Sequence, residues 1–173
     1  MFDTLIKNGK LIDGSKVEVA LEKGIIKAVA SEINEPAREV IDLSGNSYLS
    51  AGWIDDHVHC YEKMNLYYDY PDQIGVQKGV TTVIDAGTTG AENIRDFYQL
   101  TKSVKTNVYA LMNISKWGIV EQDELADLTK IQEDLVRSAL AELPEFIVGI
   151  KARMSKTVVG ENGITPLELA KKI

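Results

Sequence analysis

Cysteine, histidine and positive charge are scarce in this chain of 173 residues. Its single cysteine, Cys60, excludes an internal disulfide and fits a reducing cytoplasm. The 19 Lys and Arg are outnumbered by 26 Asp and Glu, leaving a net charge of -7. Such a surface attracts neither nucleic acid nor an anionic membrane, so neither is expected as a partner. No apolar run approaches the roughly 20 residues that span a bilayer. The opening residues lack the basic-then-apolar pattern of a secretion signal. A length of this order suits one domain or slightly more, with a sizeable core. Metal ligands, if any, must come from histidine, carboxylate and lysine, with Cys60 as an outsider.

The only two histidines are placed two residues apart in Asp55-Asp56-His57-Val58-His59. A strand points alternate side chains to one face, so His57 and His59 project together from Cα atoms roughly 6.5–7 Å apart. Two imidazoles so placed can close on one metal ion with Zn–N bonds of ~2.0–2.1 Å. The competing reading is one packed and one hydrogen-bonded histidine, and the motif alone does not separate them.

Residues 1–51 read as short strands over 4–7, 17–21, 25–29 and 39–43. The pairs Asn8-Gly9, Asp13-Gly14 and Lys23-Gly24 supply the positive φ of hairpin turns. This is expected to be a small antiparallel unit. Residues 52–173 change rhythm. Strands are expected over 53–59, 80–85, 107–114 and 146–151, with helices over 71–78, 92–103 and 130–143. The last helix should present Ile131, Leu135, Ala139 and Leu140 on one face. Strand–helix alternation implies parallel strands in a doubly wound sheet or a (β/α) barrel. Thr165-Pro166-Leu167-Glu168 has a capping-box pattern and opens a helix that reaches Ile173 after about two turns. Three strand–helix units and the start of a fourth do not close an eight-stranded barrel. The expectation is therefore the N-terminal part of a longer α/β protein.

Functional groups of (β/α) barrels sit at the C-terminal ends of the strands. Those ends carry His57 and His59, then Asp85, then Asn113, then Lys151 with Arg153. Lys151 follows the apolar run Phe146-Ile147-Val148-Gly149-Ile150. It is a buried cation needing a partner, a lysine deprived of its charge, or one whose ammonium reaches solvent past the strand. A neutral lysine can react with carbon dioxide to form a carbamate, a carboxylate-like group able to bridge metals.

The run Ala51-Gly52-Trp53-Ile54-Asp55-Asp56-His57-Val58-His59 resembles the G-x-I-D-x-H-x-H signature of the amidohydrolase superfamily. Asn8-Gly9 to Asp13-Gly14, followed by Lys23-Gly24-Ile25-Ile26-Lys27-Ala28-Val29, is similar to the small β-sandwich that precedes the barrel in these enzymes. The resemblance covers the whole chain. It implies a β-sandwich part over 1–51 and the first half of a (β/α)8 TIM-like barrel, incomplete, over 52–173. It implies that His57 and His59 bind the more buried of two divalent metals, zinc being expected. Lys151, carboxylated by carbon dioxide, would bridge them. The remaining ligands and the acid/base aspartate would lie beyond Ile173, so no catalytic residue is expected within the chain, and the chain alone is expected to be weakly active or inactive.

Within the superfamily, Val148-Gly149-Ile150-Lys151-Ala152-Arg153-Met154-Ser155 with Asp85-Ala86-Gly87-Thr88-Thr89-Gly90 looks like the deacetylase branch related to dihydroorotase. Dihydroorotases and hydantoinases usually carry arginine or another characteristic residue two places after the second histidine, where this chain has Tyr61. The bridging lysine also disfavours mononuclear purine deaminases. The implied reaction is hydrolysis of an amide, N-acyl or related ester bond of a small molecule by a metal-activated hydroxide. The alternatives are a cyclic amidase of the dihydroorotase or hydantoinase kind, and an inactive metal-binding module. A complete protein of this kind is expected to be a cytoplasmic homo-oligomer.

Further residues are weighed by position. Asp55 is expected to orient an imidazole from behind. Arg153 is a candidate for holding a substrate carboxylate, or for a plain ion pair. Asn113 is a candidate substrate contact or a strand end. Tyr61, Tyr67, Tyr68 and Tyr70 crowd the connection after the first barrel strand, as pocket wall or packing, with Tyr61 the nearest to the histidines. Gly87-Thr88-Thr89-Gly90 fits no phosphate-binding fingerprint and reads as a turn. Cys60, out of phase with the histidines, should face away from them.

Overall fold

Lys23 and Gly24 both have positive φ, 53° and 74°, and form the two-residue link between β2 (Lys16–Glu22) and β3 (Ile25–Ala30). Successive positive-φ residues match the twist of an antiparallel hairpin, as the sequence predicts. Asp13-Gly14 likewise lies between β1 (Phe2–Lys10) and β2, with Gly14 at φ 85°. Asn8-Gly9 behaves differently. β1 runs straight through it, with Asn8 at φ 56° and the pairing to β2 slipping between Ile6 and Gly9. The pair makes a bulge inside a strand rather than a turn between two.

The structure, a computed structural model, describes residues 1–173 and divides into two compact units, Met1–Ala51 and Gly52–Ile173. In the first unit the expected all-antiparallel pairing is corrected by β4 (Ala37–Asp42), which runs parallel to β1 and gives the order β3-β2-β1-β4. Ala30 lies opposite Glu18 and Ala37 opposite Phe2, so residues 31–36 return the chain along the sheet before β4 begins. Ile33 in that return is buried with Leu5 and Ala20.

The Ile33 N–H donates to Glu18 at 2.9 Å, and Glu18 is fully buried. Its carboxylate also has Lys16 Nζ at 3.0 Å and Lys7 Nζ at 3.8 Å. Burial pushes the carboxyl up, but the Lys16 and Ile33 hydrogen bonds and the charges of Lys16 and Lys7 outweigh it, leaving it below the ordinary range. A carboxylate with a depressed folded-state pKa stabilises the fold above its unfolded value of about 4.3, and loses that contribution as pH falls through the folded value. Urea midpoints of wild type should therefore drop more steeply below about pH 4 than those of Glu18→Gln. Parallel curves would show that Glu18 carries no such linkage.

The second unit is built on β5 (Trp53–Val58), β6 (Val80–Asp85), β7 (Asn107–Asn113) and β8 (Ile147–Lys151), all parallel and adjacent in that order. Between them come α1 (Pro71–Ile74), α2 (Ile94–Thr101) and α3 (Glu133–Glu142), and α4 (Lys156–Val159) and α5 (Thr165–Ala170) follow. This is the α/β arrangement that the sequence predicts. Val83, Ala110, Met112 and Ile147 of the strands pack with Ile94 and Phe97 of α2 and Val136 and Ala139 of α3. Spacings of three place each helical pair on one face.

The expected face of α3 is rotated. Val136 and Ala139 form its buried centre, and Leu135 and Leu140 pack at its margins. Ile131 precedes the helix in extended backbone and packs instead against Ile114, Leu125 and Val158. The expected helix over 71–78 breaks at Gly75 into α1 and a 3-10 turn ending at Gly79. The capping box at Thr165 does not form, because α5 already includes Thr165 and Ile164 takes the cap position without a side-chain bond. No helix is long and apolar enough to cross a membrane.

Candidate functional site

His57 and His59 emerge at the C-terminal end of β5 with ring centroids 5.8 Å apart and planes at 79°. His57 is exposed and His59 half-buried. The His57 N–H donates to the Asp55 carboxylate at 3.1 Å. The Asp55 carboxylate here meets backbone and not an imidazole.

The group that meets an imidazole is Thr88. Its Oγ1 lies 2.8 Å from His59 Nδ1 and 2.7 Å from Asp85 Oδ2. Asp85 ends β6 and is fully buried. Its carboxylate also accepts from the Cys60 N–H at 2.8 Å and the Thr88 N–H at 2.7 Å. Burial pushes the Asp85 carboxyl up, against the pull of these donors and of His59. Burial also pushes the His59 imidazole below its ordinary value; Asp85 opposes this, and His57, Lys151 and Arg153 reinforce it. Neutral imidazole is the form that ligates a metal. The sequence alone marks residues 87–90 as a turn only. The missed signal is local, since an aspartate three residues before a threonine can accept from both its N–H and its hydroxyl.

Lys151 ends β8 opposite Asn113 of β7. Its Cβ and Cγ lie where a side chain on Gly87 would be, at 2.7 and 2.6 Å from an ideal Cβ there. Among the ion pairs and side-chain hydrogen bonds of the chain none involves its ammonium. Asn113 is fully buried; its amide donates to the Gly87 carbonyl at 3.1 Å and accepts from the Ser115 N–H at 2.9 Å. Both ends of the amide are engaged within the chain, so Asn113 braces the Gly87 turn.

Arg153 is held by Glu124, which is fully buried: Nε donates at 2.6 Å and Nη2 also bonds the carboxylate. The fork that would grip a substrate carboxylate is thus occupied, and of the two readings the structure shows the ion pair. Tyr61 is buried against Phe97, and its hydroxyl donates to Asp96 at 2.8 Å. It lies in the core cluster and not on the hollow beside His59. The strand ends at Val58, so alternation no longer governs residue 61. Tyr67 takes the wall position instead. Its ring centroid is 5.3 Å from that of His59 and 5.8 Å from the Arg153 guanidinium carbon, and its hydroxyl accepts from Gln122. An open hollow of about 400 Å³ beside His59 is lined by Asp55, Leu66, Tyr67, Tyr68 and Asp69. Cys60 is buried, and burial pushes its thiol up, away from reactivity.

No three His, Cys, Asp or Glu side chains gather as a metal-binding group. The donor set that the chain offers is two imidazoles at one edge strand and an unpaired lysine at the other. That set fits part of a metal centre and does not close one by itself.

No family model matches the chain. Over 172 residues it is 67% identical to a protein of Enterococcus faecalis named deacetylase, a match covering 99% of this chain and 47% of that protein. It superposes on the crystal structure of an adenine deaminase with a TM-score of 0.97 at 66% identity, covering 99% of this chain and 47% of the other. The chain belongs to the amidohydrolase superfamily. A crystal structure of a dihydroorotase matches with a TM-score of 0.88 at 30% identity, covering 99% of this chain and 48% of the other. This amidohydrolase chain therefore spans about half the length of the relatives it matches. Those relatives carry three different reaction names, and the two at 66–67% identity are named differently. Amidohydrolase membership thus leaves the bond cleaved to be argued from the site.

Proposed function

We propose that the chain contributes His57, His59 and Lys151 to the metal centre of an amidohydrolase that cleaves an amide or N-acyl C–N bond of a small molecule, in the manner of a deacetylase. The observation that carries this reading is the placement of these residues at the C-terminal ends of β5 and β8 in one parallel sheet, with His59 tuned towards its neutral form. A pair of divalent metals, zinc being the expected ion, would supply Lewis acidity and a water of lowered pKa. His57 and His59 would hold one ion through ring nitrogens, and Lys151, carboxylated by carbon dioxide, would reach both. Tyr67 would cover the His59 ring and limit solvent on that side. Arg153, fixed by Glu124, would add positive charge beside the site without gripping substrate.

The second reading, cyclic-amide hydrolysis, draws on the fold match to a dihydroorotase. Tyr61 weighs against it, because the position two after the second histidine is turned into the core and offers no cation. Purified full-length protein carrying this chain, loaded with zinc, should hydrolyse N-acyl substrates in a panel that also contains cyclic amides and adenine. Lys151→Ala should lose bound metal and fall to background, and bicarbonate should not restore it. Ring opening without N-acyl hydrolysis, or full metal content in Lys151→Ala, would defeat the proposal.

A further inference from the structure

We propose that Thr88, anchored on Asp85, is a positioning residue that fixes His59 as the Nδ1–H tautomer and leaves Nε2 as the free nitrogen. The argument counts hydrogens. A threonine hydroxyl has one hydrogen to give and lone pairs to accept with. Thr88 Oγ1 lies 2.7 Å from Asp85 Oδ2 and 2.8 Å from His59 Nδ1, and both contacts need a hydrogen. Asp85 as a carboxylate can only accept, so the hydroxyl hydrogen goes to Oδ2. The hydrogen between Thr88 and His59 must then come from Nδ1.

The surroundings hold this direction. Asp85 Oδ1 takes the Thr88 N–H and Oδ2 takes the Cys60 N–H, both backbone donors that cannot rotate away. Asp85 and Thr88 are fully buried, so water does not compete for the hydroxyl. The loop carrying Thr88 is tied on each side. The Ile119 N–H donates to the Thr88 carbonyl at 3.0 Å, the Asn113 N–H to the Thr89 carbonyl at 2.8 Å, and the Asn113 amide to the Gly87 carbonyl. A β-branched side chain on a fixed backbone has little rotamer freedom. His59 thus receives an orientation as well as a tautomer. A metal-ligating histidine is ordinarily held this way through its second nitrogen. Only the use of Nε2 for a metal rests on the proposed function; the tautomer rests on these hydrogen bonds with Asp85 as the carboxylate, the form its two backbone donors favour against its burial.

Long-range 1H–15N spectra of the metal-free chain above the imidazole titration read the tautomer directly. Two histidines give two patterns, and His57→Asn assigns them. Wild type and Thr88→Ser should show His59 with a protonated Nδ1 and a bare Nε2. Thr88→Val, which keeps the shape without the hydroxyl, should shift His59 towards the Nε2–H form. In the full-length protein zinc affinity should fall about 10–100-fold in Thr88→Val and recover in Thr88→Ser. If Thr88→Val does not fold, Asp85→Asn tests the same direction, because an amide placed there can reverse the donor order. An Nε2–H His59 in wild type would overturn the proposal: the chain of hydrogens would then start on a protonated Asp85. An unchanged tautomer in Thr88→Val would also overturn it. A wild-type Nδ1–H pattern together with a full-length protein that takes up no zinc would support the positioning and defeat the metal-centre reading.

Discussion

Replacing Glu124 with alanine should destabilise the unit Gly52–Ile173 by about 3–5 kcal/mol, a midpoint shift on the order of 10 °C. The cost comes mainly from the partner left behind. Glu124 is fully buried, and the Arg153 side chain that it holds through two nitrogens is only 18% exposed. Without the carboxylate, the guanidinium keeps distant contacts to the Glu121 and Gln122 carbonyls, both at 3.4 Å, and its place over the Tyr67 ring. Removing both charges is a different experiment. Glu124→Met with Arg153→Met should recover most of the loss, since apolar replacement of a buried pair is often neutral or stabilising. The single and double variants, compared by urea unfolding, give the coupling energy. A single variant within about 0.5 kcal/mol of wild type would show that the pair is solvated and that Arg153 remains available to ligands.

The same pair explains what could not be read from the sequence. Arg153 was recognisable as a strand-end cation, but Glu124 lies 29 residues earlier, in a connection with no periodic pattern, and nothing local marks it as the partner. Long-range pairing of loop residues follows from where loops fold back, which strand periodicity does not encode. The four strand ends were legible for the opposite reason. Parallel βα units place those ends on one side whatever the loops do, so His59, Asp85, Asn113 and Lys151 could be named from pattern alone. Pattern did not decide which of them face inward. Asn113 and Asp85 are fully buried and serve the turn at residues 87–88, while His59 and Lys151 are partly open. The small β unit shows the same limit: its hairpin turns are visible in Asp13-Gly14 and Lys23-Gly24, but the parallel return of β4 and the Ile33–Glu18 contact that accompanies it have no local pattern.

Gly87→Ala should be a damaging single-methyl change beside the end of β8, because two independent costs fall on one residue. Gly87 has φ 86°, a region where an L side chain is strained by about 1–3 kcal/mol. An added Cβ would also stand 2.6 Å from Lys151 Cγ and 2.7 Å from its Cβ, with the Leu111 carbonyl at 3.4 Å on another side. The Lys151 Cβ is fixed by the β8 backbone and cannot swing away as a chain terminus can, so the turn or the strand end must shift, at about 1–3 kcal/mol more. Gly79→Ala separates the two effects. Gly79 has φ 84°, nearly the same backbone strain, with nothing within 4 Å of an added Cβ. The excess loss of stability in Gly87→Ala over Gly79→Ala therefore measures the collision with Lys151. If Lys151 serves the metal centre, zinc uptake should fall in Gly87→Ala and stay at the wild-type level in Gly79→Ala. Equal unfolding free energies for the two variants would mean that Lys151 yields freely. Such a lysine would be too loosely held at the end of β8 to bridge metals in a fixed geometry.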